Sequence, residues 1–157
     1  MPYKRIKDKT NLIAQWKVKT DPKYYFHVFL WKDQDSYFKN TPKDVLPNEG
    51  SCGCAALSCS MIEVYEDGTD SGEIVFPKLG EIHFIKDNWD MNVVSHECLH
   101  MIIHRIRMLR LDFSKIIEQE DDCEEDLCYM FGDLVDEIYR KLWEINPGTK
   151  WNHQTLV

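Results

Sequence analysis

Two stretches of helical apolar spacing constrain this chain more than any other feature. From about Asp90 to Arg110 the apolar residues recur as Val94, Cys98, Met101, Ile102, Ile106 and Leu109. From about Asp121 to Ile145 they recur as Leu127, Phe131, Leu134, Ile138 and Leu142. Each pattern marks one face of a long helix, and that face must be buried against another element. Asn88 or Asp90 is placed to cap the first helix, and Arg105, Arg107 and Arg110 suit its negative end. Asn146-Pro147-Gly148 ends the second.

Ahead of these helices the pattern is that of strands. Tyr24 to Trp31, rich in aromatic and β-branched residues, reads as one. Ala55 to Tyr65 is another, closed by the turn-rich Glu66 to Gly72, and short strands follow at Glu73 to Phe76 and Glu81 to Ile85. Lys39 to Ser51, with Pro42, Pro47 and Gly50, reads as a loop. There is no internal repeat and no low-complexity linker, and 157 residues suit one domain. The expected fold is therefore α+β: a single domain over residues 1–157, with a short mixed or antiparallel sheet packed on the first long helix and on a second, C-terminal one.

Charge and composition narrow the function classes. A formal net charge of -8 argues against nucleic-acid binding, which needs a basic face. The charge is uneven. Lys4, Arg5, Lys7, Lys9, Lys17, Lys19 and Lys23 make the start basic, as a solvated arm, a first strand or a docking arm for an acidic partner. Residues 118–126 carry seven acids in nine positions, which suits basic peptides. No apolar run approaches the roughly 20 residues that cross a bilayer, so no membrane association is expected. The Lys-studded Met1 to Thr20 does not read as a secretory signal, and the expected location is the cytoplasm. The six cysteines are then expected as thiols. Cys52, Cys54 and Cys59 are close together but lack a fourth ligand, and read as packed or turn residues.

The chemistry lies in His96-Glu97-Cys98-Leu99-His100. Histidines four apart sit one turn apart on one helical face, so both imidazoles reach one ion. Glu97 adjoins the first of them and can take a proton from a metal-activated water, then pass it to the leaving group. The motif sits among Val93, Val94, Leu99, Met101, Ile102 and Ile103, where unpaired polar groups are costly, about 2–7 kcal/mol by transfer estimates. Zn2+ is the expected cofactor.

A catalytic zinc needs a third protein ligand and one open position. Carboxylates of the second helix are the candidates: Glu118, Glu120, Asp121, Asp122, Glu124, Glu125 and Asp126. Glu125 is preferred, because positions 125, 128, 129 and 132 share a face whose Cys128 and Gly132 would allow close helix approach. Glu124, on the stripe with Leu127, Phe131 and Leu134, is the other candidate. Either acid would also serve in a capping box with Asp121 or Asp122. His83 and Tyr129 are candidates for donating to a substrate carbonyl or transition-state oxyanion, against a plain strand histidine and a packed tyrosine. His104 lies roughly 12 Å along the helix from His96, too far to share its ion, and reads as a supporting or surface residue. His153 is assigned nothing.

At these residues the chain resembles the zincin superfamily, in particular gluzincin-like peptidases. The resemblance spans roughly residues 81–135: the strand Glu81 to Ile85, the helix with His96-Glu97-x-x-His100, and a second helix with Glu125 three residues before Cys128. The run Glu124 to Gly132 is similar to the second motif of small HExxH proteins of phage and bacterial genomes, and His104 is similar to the ImmA/IrrE-type peptidases, which cut transcriptional repressors. A metzincin is excluded, since Ile106 stands where that class has its third histidine and position 103 is not glycine. Two features depart from the ImmA/IrrE pattern: Leu99 replaces a glycine, and the Glu-Ala-Asn signature is missing. The resemblance implies His96 and His100 as ligands, Glu97 as general base, and Glu81 to Ile85 as an edge strand that pairs with the substrate backbone. The expected function is a zinc-dependent metallopeptidase acting on a protein or peptide. The alternatives are a catalytically silent zincin-like binding or regulatory protein with a structural zinc, and a metal-free acidic interaction domain.

Overall fold

The computed structural model describes residues 8–40, 60–64, 70–75, 78–109, 111–112, 114 and 123–147. Its elements run β1 (Leu12–Lys19), β2 (Tyr25–Trp31), α1 (Gln34–Asn40), β3 (Ser60–Val64), β4 (Asp70–Val75), β5 (Lys78–Ile85), α2 (Met91–Met108) and α3 (Cys123–Ile145). β1, β2 and β5 form one sheet in that order, with β1 antiparallel and β5 parallel to β2, so the sheet is mixed. β3 and β4 pair antiparallel as a separate hairpin. The class is α+β, with the long C-terminal helix expected from the second stripe.

Burial follows from strand position. β2 is the middle strand and is covered on both faces, which is why Phe26 to Trp31 is almost continuously apolar. On one face Phe26, Val28, Leu30, Ile82 and Phe84 join Val94, Cys98 and Met101 of α2 and Leu134, Ile138 and Leu142 of α3 in one core. On the other, Phe29, Trp31 and Ile85 pack with Tyr37 of α1. β1 alternates instead: Ala14, Trp16 and Val18 turn inward while Gln15, Lys17 and Lys19 stay exposed. Part of the basic start is thus a first strand, and Lys17 Nζ lies 4.4 Å over the Tyr25 ring on the neighbouring strand.

Several boundaries differ from the sequence expectation. Lys39 and Asn40, expected in a loop, end α1. That helix starts because Asp33 accepts from the Ser36 amide at 2.8 Å, while Tyr37 supplies a buried anchor. Asp70 to Gly72, expected in a turn, belong to β4. The remainder of the expected loop over 41–51, the expected strand residues 55–59, Cys52, Cys54, Cys59 and His153 lie outside the described residues.

Two polar ties fix how α2 leaves the sheet. Asp87, in the turn after β5, has φ 63°, a left-handed conformation that aspartate tolerates better than most residues. Asn146, just past α3, donates to its carboxylate at 2.9 Å. Arg105 of α2 reaches Asp21, between β1 and β2, at 3.2 Å. Among the described residues no helix is long and apolar enough to cross a membrane.

Candidate functional site

α2 starts where Asp90 accepts from the Val93 amide at 2.8 Å, one of the two caps expected. Val94, Cys98 and Met101 lock one side of the helix into the core. Helical geometry therefore turns His96 and His100 outward, about 40° apart around the axis. Their Nε2 atoms stand 3.1 Å apart and the rings meet edge to face, at 77° with centroids 4.7 Å apart. The pair is open to solvent, with the His96 side chain 67% exposed. Burial and the neighbouring His96 both push the His100 imidazole below the usual histidine range, which favours the neutral form that binds metals.

Glu97 follows His96 by about 100° of rotation and so points toward the sheet. It is only 5% exposed. Its Oε1 is 3.8 Å from His96 Nε2, and its Oε2 is buried without a hydrogen-bond partner among the described residues. Burial pushes this carboxyl up to about 8. A buried carboxyl with an unused oxygen, beside two converging imidazoles, is the donor set that a divalent cation and its water would satisfy. Two imidazoles on one helical face suit zinc as ligands. A complete ligand set is another matter: among the described residues no three His, Cys, Asp or Glu side chains gather into a group that could hold a metal.

The acids proposed for the third position are not drawn to the histidines. Glu124 and Glu125 are both exposed in the first turn of α3. The face chosen for Glu125 is turned to solvent throughout, with Cys128, Tyr129 and Gly132 exposed as well, and a Cβ at Gly132 would meet nothing within 4 Å. The small residues there do not serve close helix approach. α3 buries Leu134, Ile138 and Leu142 instead, with Leu127 and Phe131 packed against that core, which is the stripe Glu124 was placed on. Asp126 is exposed too, while Glu118, Glu120, Asp121 and Asp122 lie outside the described residues. Tyr129 is 70% exposed. It lines a cleft of about 370 Å³ with Lys19 and Thr20 at the end of β1, and with Asp126, Asp133 and Glu137.

His83 is placed differently from a substrate-facing donor. Strand alternation puts Glu81, His83 and Ile85 on the face opposite Ile82 and Phe84, hence away from α2. The ring is fully buried, stacked on Phe29 at 4.8 Å and near the edge of Tyr37. Trp31 donates from Nε1 to His83 Nδ1 at 2.9 Å, which leaves the proton on Nε2, 3.2 Å from Glu81 Oε2. Lys78 closes on the other Glu81 oxygen. Burial holds His83 down to about 3 and pushes Glu81 up to about 8, while the Lys78 ammonium and the His83 N–H favour the charged carboxylate. Sequence reasoning missed this network, although the alternation of Glu81 and His83 with Ile82 and Phe84 was its visible signal.

His104 bonds the carbonyl of Leu79 at 3.1 Å, which makes it a tie between α2 and β5. β5 ends the three-stranded sheet among the described residues, so the strand expected to meet a substrate lies at an edge. Cys98 is buried and its thiol is pushed up to about 12 by burial and by Glu97, so it is inert at neutral pH. Compared with known proteins, the chain matches no family model, no curated protein and no solved structure.

Proposed function

We propose that the chain is a zinc-dependent metallopeptidase in which His96 and His100 hold the ion and Glu97 is the general base. One observation carries this: the two Nε2 atoms converge at 3.1 Å beside the buried Glu97 carboxyl, whose Oε2 has no hydrogen-bond partner among the described residues. Exposure of the pair supports a catalytic rather than a structural ion, since structural zinc sites are closed by four protein ligands. Zinc, when bound, supplies a Lewis acid that polarises the scissile carbonyl and makes water acidic.

The protein's own groups do the rest. His96 and His100, fixed on one helix, set the position of the reacting centre. Glu97, brought back into its ionised range by an adjacent cation, takes a proton from the attacking water. It then returns that proton to the departing amine, and its burial keeps bulk water from competing for it. The edge position of β5 supports its pairing with an extended substrate backbone. The proposed location is the cytoplasm, where Cys98 and Cys128 would stay as thiols.

Elemental analysis of chelator-washed, zinc-repleted protein tests the reading, with peptide-library cleavage beside it. The expected result is about one zinc per chain, as for a catalytic site of this type, lost in His96→Ala and His100→Ala. Glu97→Gln should keep the metal and lose about a hundredfold or more in cleavage rate. Wild-type protein that takes up no zinc would overturn the proposal.

A further inference from the structure

We infer that the groove between strand β1 and helix α3 holds an extended, Lys- or Arg-rich segment of a partner protein. The segment joins β1 as a fourth strand and sets its basic side chains against Asp126, Asp133 and Glu137. This surface is separate from the histidine pair, so the inference goes beyond the metallopeptidase reading and does not depend on it.

Among the described residues β1 ends the three-stranded sheet at the edge opposite β5. An edge strand presents a row of unpaired N–H and C=O groups, a template for one more strand. α3 lies over the inward face of β1, where Trp16 and Val18 join the core of Leu134 and Ile138. Two clefts run between strand and helix. One, of about 370 Å³, separates Lys19 and Thr20 from the stretch between Asp126 and Glu137. The other, of about 470 Å³, separates Trp16 and Lys17 from the stretch between Asp136 and Glu144. Glu137 borders both, so together they form one groove along β1.

The helix wall of this groove is acidic in a regular way. Asp126, Asp133, Glu137 and Glu144 follow at spacings of seven, four and seven, which helix geometry keeps within about 40° of one another. Glu144 pairs with Lys141 at 3.2 Å, whereas the other three have no ion-pair partner among the described residues. Lys17 and Lys19 do not answer them. Alternation aims both at the far face of β1, where Lys17 Nζ lies over the Tyr25 ring. Burial and the neighbouring Asp133 push the Glu137 carboxyl above the usual carboxylate range, a shift that an added cation would relieve.

The spacing fits a strand. Asp133 and Glu137 are about 6 Å apart along the helix axis, and same-face side chains of a strand are about 6.8 Å apart. Alternate basic residues of an added strand therefore meet successive acids. Exposed Tyr129, on the rim, offers its ring face to an arginine. Trp16, which lines the second cleft, keeps its indole N–H buried without an acceptor among the described residues. That unmet donor stands beside the place where the carbonyls of an added strand would lie.

Fluorescence anisotropy of the full chain with a labelled, alternating Lys-Thr nonapeptide tests this, read beside amide hydrogen exchange of β1. The expected result is saturable binding, slower exchange over Leu12–Lys19, and about tenfold weaker binding in Asp133→Asn/Glu137→Gln. Asp35→Asn/Glu125→Gln removes the same charge at exposed positions elsewhere and should stay within about twofold of the wild type. An alternating Glu-Thr peptide should not bind. Absence of binding, or an equal loss in both double variants, would overturn the groove. Binding that leaves the exchange of β1 unchanged would overturn the added strand. Protection of β1 in the free protein that vanishes on removal of residues 1–7 would assign the groove to this chain's own basic start. Protection that grows with protein concentration would assign it to a second copy, and either result would overturn the partner.

Discussion

His104 and Leu79 meet at 3.1 Å, side-chain Nε2 to backbone carbonyl, one helical turn beyond His100. The carbonyl can only accept, so the bond assigns the His104 proton to Nε2. Leu79 is the residue at which β5 slips register against β2, since Tyr25 pairs with Lys78 but Phe26 pairs with Gly80. An irregular step takes a backbone group out of the regular ladder, and a side chain of α2 supplies the donor. His104→Leu should therefore cost about 1–3 kcal/mol, the usual penalty for leaving a buried carbonyl unpaired. His104→Gln, which keeps a donor, should lose less. Urea denaturation of the three proteins checks this, and equal midpoints would show that the bond contributes nothing.

Acid should destabilise the protein through His83. Burial holds its imidazole down to about 3, below the ordinary histidine value of 6.5, so between those limits the unfolded chain binds a proton that the folded chain refuses. The stability contribution is complete above 6.5 and is lost as the pH falls toward 3, with a slope for one proton of about 1.4 kcal/mol per pH unit. Half-buried His27, held near 4, acts in the same sense. Glu81, pushed up from 4.5 to about 8, acts oppositely and weakens the fold as the pH rises through that range. Comparison with His83→Asn isolates the histidine: unfolding free energies at pH 7, 6 and 5 should fall less steeply in the variant. Parallel slopes would refute the assignment, as would an imidazole proton found on Nδ1 rather than Nε2 by nitrogen NMR.

Gly132 has no structural use for its missing side chain. It sits inside α3, exposed, and a Cβ there would touch nothing within 4 Å. Gly132→Ala should raise stability by about 0.5–1 kcal/mol by lowering the entropy lost on helix formation. Thermal melting is enough to check it. A lower melting temperature would mean that the face of Glu125 and Cys128 packs more tightly than its exposure indicates.

Zinc should stabilise the folded chain, because the unfolded chain lacks the paired geometry of His96 and His100. At a hundredfold excess over the dissociation constant the gain is about 2.7 kcal/mol. A chelator should reverse the shift, and His100→Ala should abolish it. An equal zinc-induced shift in His100→Ala would place the ion elsewhere.

The His96–Glu97–His100 arrangement was legible in the sequence because it depends only on helix geometry, and the apolar spacing around it is strong enough to specify the helix. The α+β class and the apolar stripe of α3 were legible for the same reason: period and burial are local consequences of residue order. The short α1 was not, since a single buried tyrosine and an aspartate cap leave little pattern to read. Tertiary structure alone decided the rest. It put β5 beside β2 in parallel, which sends His83 to the face away from α2 and wraps it between Trp31 and Glu81. It turned Glu125, Cys128, Tyr129 and Gly132 to solvent, because the wider apolar stripe of α3 wins the core. It also tied His104 to the Leu79 carbonyl and left Leu99 and Ile103 exposed. Spacing along one helix is set by the backbone, whereas the surroundings of a side chain are set by which distant elements bury the most apolar surface together.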